Sequence, residues 1–367
     1  MSRDVIYEEI SPYVFVTKLA GFEHSEYIQP FATKEPEKVT DIPMVQGKNI
    51  RNGVFVEKYD WYIKKEISDG LPRSILNKKC ILIPYVGSNL GEVGIFHNKY
   101  LCHLASNIAK VELNSDKYLL EYMMYYMQSP IGQAYLFQAK QGSSQPNITM
   151  ESIRKTKIIK RSIAEQQKIV RILGSIDNQI KRNNEMVQKL QVLGKVIYSQ
   201  KIKNSEYEKL EKMSKITTGK EDANHSTENG KYKFFTCSDE ILLCNDFKFD
   251  GKSILVAGNG NFNVKYYDGK FNAYQRTYVI KNDEIIGDLY YTLLFNIELF
   301  TKKANGSIIK FITLNMLNNI NVPKFDIITN DTLNKILHQI NNINSKTDNL
   351  IKLKNKLLPL LINQQLA

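Results

Sequence analysis

Two stretches of this chain repeat apolar residues at the spacing of a coiled-coil seam, and that spacing restricts the fold more than any other feature. From Ile169, the residues Ile169, Leu173, Ile176, Ile180, Asn183, Val187, Leu190, Gly194 and Ile197 recur at alternating steps of four and three, which places them on one stripe of a helix. Ser162 and Glu165 just upstream make an S-x-x-E capping box, which satisfies two free amides at a helix start. About 40 residues at ~1.5 Å each give a helix roughly 60 Å long. A second stretch closes the chain, with Leu333, Ile336, Ile340, Ile343, Thr347, Leu350, Lys354, Leu357 and Leu361 in the same rhythm. Neither stripe can be buried alone, so the two helices are expected to pair within the chain. Asn183, Thr347 and Lys354 interrupt the seams with polar groups that cost stability and can fix register.

These helices divide the sequence into a first head at 1–160, a helix at 161–203, a second head at 204–328 and a closing helix at 329–367. The expected class is α+β: two mixed heads and two long antiparallel helices, related by a pseudo-twofold internal repeat. In the first head, strands are expected at Val54–Lys58, Cys80–Val86, Val93–Phe96 and Ile108–Leu113, with an aromatic helix over Lys117–Gln138. In the second they are expected at Lys231–Cys237, Ser253–Ala257, Val264–Tyr267 and Tyr274–Lys281, with a helix near Asp288–Phe300.

The halves also align as a repeat. CILIPYVGSNLGEVGIFHNKY (from Cys80) parallels SILVAGNGNFNVKYYDGKF (from Ser253), each a strand, a Gly/Asn turn and a second strand. QGSSQPNITMESIRKTKI (from Gln141) parallels NGSIIKFITLNMLNNINV (from Asn305), and QKIVRILGSID parallels NKILHQINNIN at the openings of the long helices. Two similar heads on paired helices form a device suited to two short DNA half-sites separated by an unread spacer.

Composition supports that partner. At 367 residues with 43% hydrophobic and 24% charged, the chain suits two folded domains. Its formal charge of +12 favours a polyanion such as nucleic acid, although Lys-rich composition also arises from genome bias. Cys80, Cys102, Cys237 and Cys244 form no CxxC pair, which points to a reducing compartment. No apolar run approaches the ~20 residues of a membrane span, and the start MSRDVIYEEI lacks the order of a signal peptide. A cytoplasmic protein without membrane contact is expected.

A search for catalytic chemistry leaves no centre. The chain lacks the N/D-P-P-Y/F tetrapeptide that holds a flipped adenine amine. The glycines from Gly87 to Gly94 and from Gly258 to Gly260 lack the Lys-Ser or Lys-Thr of a phosphate-binding loop. His24, His97, His103, His225 and His338 show no metal-ligand spacing, and Glu208 is not followed by a nuclease-like D/E-x-K in a strand setting. Neither metal nor cofactor is expected, and no enzymatic activity.

SIAEQQKIVRILGSIDNQIKRNNEMVQKLQVLGKVIYSQ, following QGSSQPNITMESIRKTKII, resembles the conserved region of type I restriction-modification specificity subunits. GKEDANHS (from Gly219), SILVAGNG (from Ser253) and the closing helix resemble the second half of that family. The resemblance implies a DNA-binding, non-catalytic subunit of a host-defence system, with two target-recognition domains that each read half of a bipartite site and helices that set the spacer. It also implies docking of two adenine methyltransferase subunits, and restriction subunits through the complex. The first head departs from the pattern, opening with FVTKLAGFEHSEYI where the second has KITTGKEDAN.

Base reading needs Arg or Lys for guanine and Asn or Gln for adenine, on loops. Candidates in the first head are Lys48, Asn49, Arg51, Ser88, Asn89, Ser143, Ser144 and Gln145. In the second they are Lys220, Asn224, Asn259, Asn261, Asn263, Gln275 and Arg276, with Tyr85, Tyr266 and Tyr274 as stacking surfaces. Two other readings stay open at this stage: a stand-alone or decoy DNA-binding specificity protein, and a coiled-coil interaction scaffold whose heads bind something other than DNA.

Overall fold

A computed structural model of the chain describes residues 5–97, 99–137, 148–260, 262–303 and 311–363. The chain forms two compact units, Met1–Gln179 with Leu350–Ala367, and Ile180–Asn349. Each unit therefore holds one part of each long helix.

In the first unit an antiparallel sheet runs in the order Val14–Lys18, Ile108–Leu113, Cys80–Pro84, Gly94–Phe96. Cys80–Pro84 is buried along its whole length, and its side chains alternate between two cores as strand geometry requires. Ile81 and Ile83 join Tyr122, Met123 and Tyr126 of the helix Leu120–Gln128, while Cys80 and Leu82 join Ile50, Leu76, Phe96 and Ile108. A second sheet pairs Cys102–Leu104 parallel with Ile42–Val45. A ribbon of Tyr7–Glu9 and Lys157–Ile159 leads into the first long helix.

The second unit repeats this plan. Its main sheet runs Lys215–Thr218, Thr277–Lys281, Ser253–Ala257, Val264–Tyr267, again all antiparallel. Its second sheet pairs Tyr232–Phe235 parallel with Phe271–Ala273, and a ribbon of Glu206–Lys209 and Asn321–Lys324 leads to the closing helix. Ile254 and Val256 face Leu289 and Leu293, whereas Leu255 faces Phe235, Phe271 and Val279. Equivalent threonines start the short helices Met150–Arg154 and Leu314–Asn318, Thr149 accepting from Ser152 N and Thr313 from Met316 N. The divergent opening FVTKLAGFEHSEYI supplies all but the first residue of Val14–Lys18, an outer strand in the position that Lys215–Thr218 takes in the second unit.

Local differences from the expected elements have local causes. The aromatic helix is not continuous over Lys117–Gln138 but breaks into Leu120–Gln128 and Pro130–Leu136. Pro130 cannot donate within a helix but suits its first position, and Ser129 caps the new start by accepting from Gly132 N. Of Val54–Lys58 only Val54–Phe55 is strand. Tyr274–Thr277 turns before strand Thr277–Lys281 begins, with Thr277 N donating to Tyr274 O at 2.8 Å.

The long helices span Ile163–Lys201 and Ile327–Ile362, and Ser162 and Glu165 form the expected reciprocal box. In the first unit Ile169 and Leu173 pack with Leu357, Leu358, Leu361 and Ile362. Lys354 Nζ lies 2.8 Å from Asp177 Oδ1, and Arg161 donates to the carbonyls of Leu361 and Ile362 at the closing helix's end. In the second unit Val187, Leu190 and Ile197 pack with Leu333, Ile336 and Ile340, and Asn183 Nδ2 donates to Thr347 Oγ1 at 3.0 Å. Ile176 and Ile180 are buried; Ile343 and Leu350 are half-buried. In both units one helix advances as the other retreats, so the pairing is antiparallel. All three polar seam positions have polar partners, and Gly194 admits Tyr291, whose ring a Cβ there would strike.

Candidate nucleic-acid interface

In the first unit, loop 46–53 follows strand Ile42–Val45, and turn 85–93 follows strand Cys80–Pro84. Asn89 Nδ2 donates to Ile50 O at 2.9 Å and Glu92 accepts from Gly53 N at 2.8 Å, so loop and turn are fastened together. Asn52, with φ 51°, and Gly53, with φ 73°, turn the loop through the left-handed region, where Asn and Gly are the tolerated residues. Lys48, Arg51, Ser88 and Asn89 are thereby brought onto one rim.

The same construction recurs in the second unit. Residues 236–240 follow strand Tyr232–Phe235, residues 258–260 follow strand Ser253–Ala257, and Asn263 Nδ2 donates to Cys237 O at 3.2 Å and to Asp239 Oδ1 at 3.1 Å. Next to it, Gly258 N donates to Arg276 O at 2.9 Å, and Lys220 N and Gln275 N donate to Ala273 O and Glu221 O. Gly219 is required at this crossing, since a Cβ would strike the carbonyls of Ala273 and Tyr274. Lys220, Asn224, Gln275 and Arg276 are all exposed on these adjoining turns. Asn259 is half-buried and bridges Phe311.

Several of the expected readers have partners within the protein: Gln275 Nε2 donates to Asp222 Oδ1 and Ser88 Oγ to Asn89 Oδ1, both at 3.1 Å. Asn49 is buried; its amide donates to Val56 O and Lys58 O at 2.9 and 2.8 Å and accepts from Gln46 N, so it braces the loop from inside. Asn263 donates twice in its latch and also accepts from Lys265 Nζ, and Asn89 gives one of its two amide N–H groups to Ile50 O. Among the stacking candidates, Tyr85 is buried with its hydroxyl on Ser106 O, and Tyr266 and Tyr274 are half-buried. Ser143, Ser144, Gln145 and Asn261 lie outside the described residues.

Lys58 was not among the expected contacts, because it sits seven positions beyond Arg51. The Asn49 brace holds its segment, and its charge is felt at Lys48. Partial burial, then the charges of Lys58 and Arg51, pull Lys48 below the ordinary lysine range, although Asp60 pairs with it. A phosphate beside this trio would relieve the repulsion. Of the histidines, His103 is a neutral core residue whose burial holds its pKa down. His225 is different, with carboxylates near both ring nitrogens.

The profile of the type I restriction modification DNA specificity domain matches this chain twice, over residues 26–192 and 202–356. The chain belongs to the type I restriction-modification DNA specificity family. A type I restriction enzyme EcoDI specificity subunit from Escherichia coli is 37% identical over 146 residues, which is 38% of this specificity chain and 33% of that relative. The crystal structure of a type I restriction-modification system S subunit from M. genitalium shares the fold, with a TM-score of 0.55 at 14% identity, covering 99% of this chain and 97% of the other. No helix among the described residues is long and apolar enough to cross a membrane.

Proposed function

We propose that this chain is the non-catalytic specificity subunit of a type I restriction-modification complex, its heads, residues 1–160 and 204–328, each reading one half of a bipartite DNA sequence. The observation that carries the reading is the repetition of one construction: in each unit an asparagine latch fastens the loop after a second-sheet strand to the turn after the central strand. Around the latches stand Lys48, Arg51, Lys58 and Ser88 in one unit, and Lys220, Asn224, Gln275 and Arg276 in the other. These are the group types that contact phosphates and base edges. The paired helices, 39 and 36 residues long, set the unread spacer.

The first long helix carries a second apolar stripe that its partner does not use. Val192, Leu193 and Val196 are exposed in shallow grooves edged by Gln188, Lys189, Lys195 and Ser199. This stripe is the surface offered to a methyltransferase subunit, two of which would bind the chain, with restriction subunits joining through them. Val192→Asp with Val196→Asp should abolish co-purification with the methyltransferase subunit and leave the far-ultraviolet circular dichroism unchanged.

The test of the whole reading is co-expression with the methyltransferase subunit encoded nearest to it, followed by single-molecule sequencing for methylated adenines. The expected result is a two-part motif with a fixed gap, one half of which changes when one head is replaced. A stable complex that yields no motif would favour a decoy or scaffold.

A further inference from the structure

Beneath the loop that carries Lys220 and Asn224, three groups converge that DNA reading does not use. His225 ends that loop, Cys244 ends the strand Ile241–Cys244, and Asp246 follows two residues later. One ligand atom from each, a ring nitrogen, a sulfur and a carboxylate oxygen, lies within 4.8 Å of the others. His225 Nε2 is 2.7 Å from Asp246 Oδ1. Cys244 is fully buried, while His225 and Asp246 are half-buried, which leaves a way in for a cation.

The surroundings hold these groups in place. On the far side of the imidazole, Glu221 Oε2 lies 3.4 Å from Nδ1, the position from which a carboxylate fixes the tautomer and orientation of a ligating histidine. Phe234 packs against the ring edge-on at 5.6 Å between centroids, and Asn272 Nδ2 reaches the second Asp246 oxygen at 3.4 Å. Sulfur, imidazole and carboxylate together suit zinc and not the all-oxygen preference of magnesium or calcium.

We propose that His225, Cys244 and Asp246 form a zinc site, with Glu221 orienting the imidazole. The ion takes the place of the Nε2–H to Oδ1 hydrogen bond and of the Cys244 Sγ–H bond to Asp246 O: the thiol proton leaves to solvent, the imidazole keeps its proton on Nδ1 facing Glu221, and water fills the fourth position. Its effect is mechanical: it ties the loop bearing Lys220 and Asn224 to the hairpin of Tyr232–Phe235 and Ile241–Cys244. Sequence spacing hides the site because 18 residues separate His225 from Cys244, and only the hairpin pairing of those strands closes the gap.

The test uses the purified full chain, stripped with a chelator and titrated with zinc against a chromophoric competitor, and separately loaded with cobalt. The expected results are one zinc per chain and a thiolate-to-cobalt charge-transfer band. Cys244→Ser should lose the band, and Cys244→Ser and His225→Gln should each weaken zinc binding by at least about 100-fold. Glu221→Gln should weaken it by about 10–100-fold and keep the band. Absence of the cobalt band in the wild-type chain would overturn the site without recourse to any variant. So would zinc binding undiminished in folded Cys244→Ser and His225→Gln chains, which would place the metal elsewhere.

Discussion

Arg276 shows how little of a reading side chain is fixed by its own identity. Its carbonyl is tied to Gly258 N while the residue is exposed, so the backbone is held and the guanidinium is open to the base contact proposed above. Arg276→Ala should cost about 1–3 kcal/mol of discrimination at one base position of the site, read by anisotropy titrations against single-base variants of the mapped duplex. Lys220→Ala should instead weaken every duplex alike and lower the salt slope by about one. Equal loss of discrimination in both variants would refute this division of labour. Asn49, Asn89 and Asn263 show the same ambiguity: an asparagine in a turn is equally able to bond bases or its own backbone, and the packed loop shows backbone partners for all three.

At the scale of elements, the long helices combine an apolar seam with matched polar pairs. Lys354 is buried in the seam, paired with Asp177 and seated 5.3 Å over the Tyr125 ring. Lys354→Met removes the cation and leaves the Asp177 carboxylate with the Tyr125 hydroxyl, 2.7 Å away. The expected loss is up to about 3–5 kcal/mol, recovered in large part by Lys354→Leu with Asp177→Leu; urea unfolding measures both, and an unchanged midpoint for the single variant would contradict the pairing. Near the start of the closing helix, Asp326 is held ionised by Thr329 and Lys201, and burial and then the Asp326 charge push Asp288 up to about 7. A raised carboxyl pKa contributes stability that is complete below its unfolded value and is lost as pH rises through about 7. Asp288→Asn should therefore raise the melting temperature relative to the parent at about pH 8, with the advantage fading toward about pH 5. A pH-independent difference would show that Asp288 does not titrate there.

For the molecule as a whole, the charge of +12 becomes a measurable salt dependence. If about six phosphates are neutralised, the logarithm of affinity should fall with that of salt at a slope near −5. A flat response would instead fit a scaffold whose heads bind no DNA. The amino-acid pattern alone calls for the two long helices, because a three-four repeat of apolar residues can be buried only against a like partner. It also determined the duplication, because strand, turn and helix recur in one order in both halves. Tertiary structure alone decided which turns meet, that asparagines latch them, that Pro130 begins a new helix, and that His225 comes to lie against Cys244 and Asp246. Periodicity records how one element is buried, whereas these contacts arise from strand pairing between segments far apart in sequence, which no local pattern encodes.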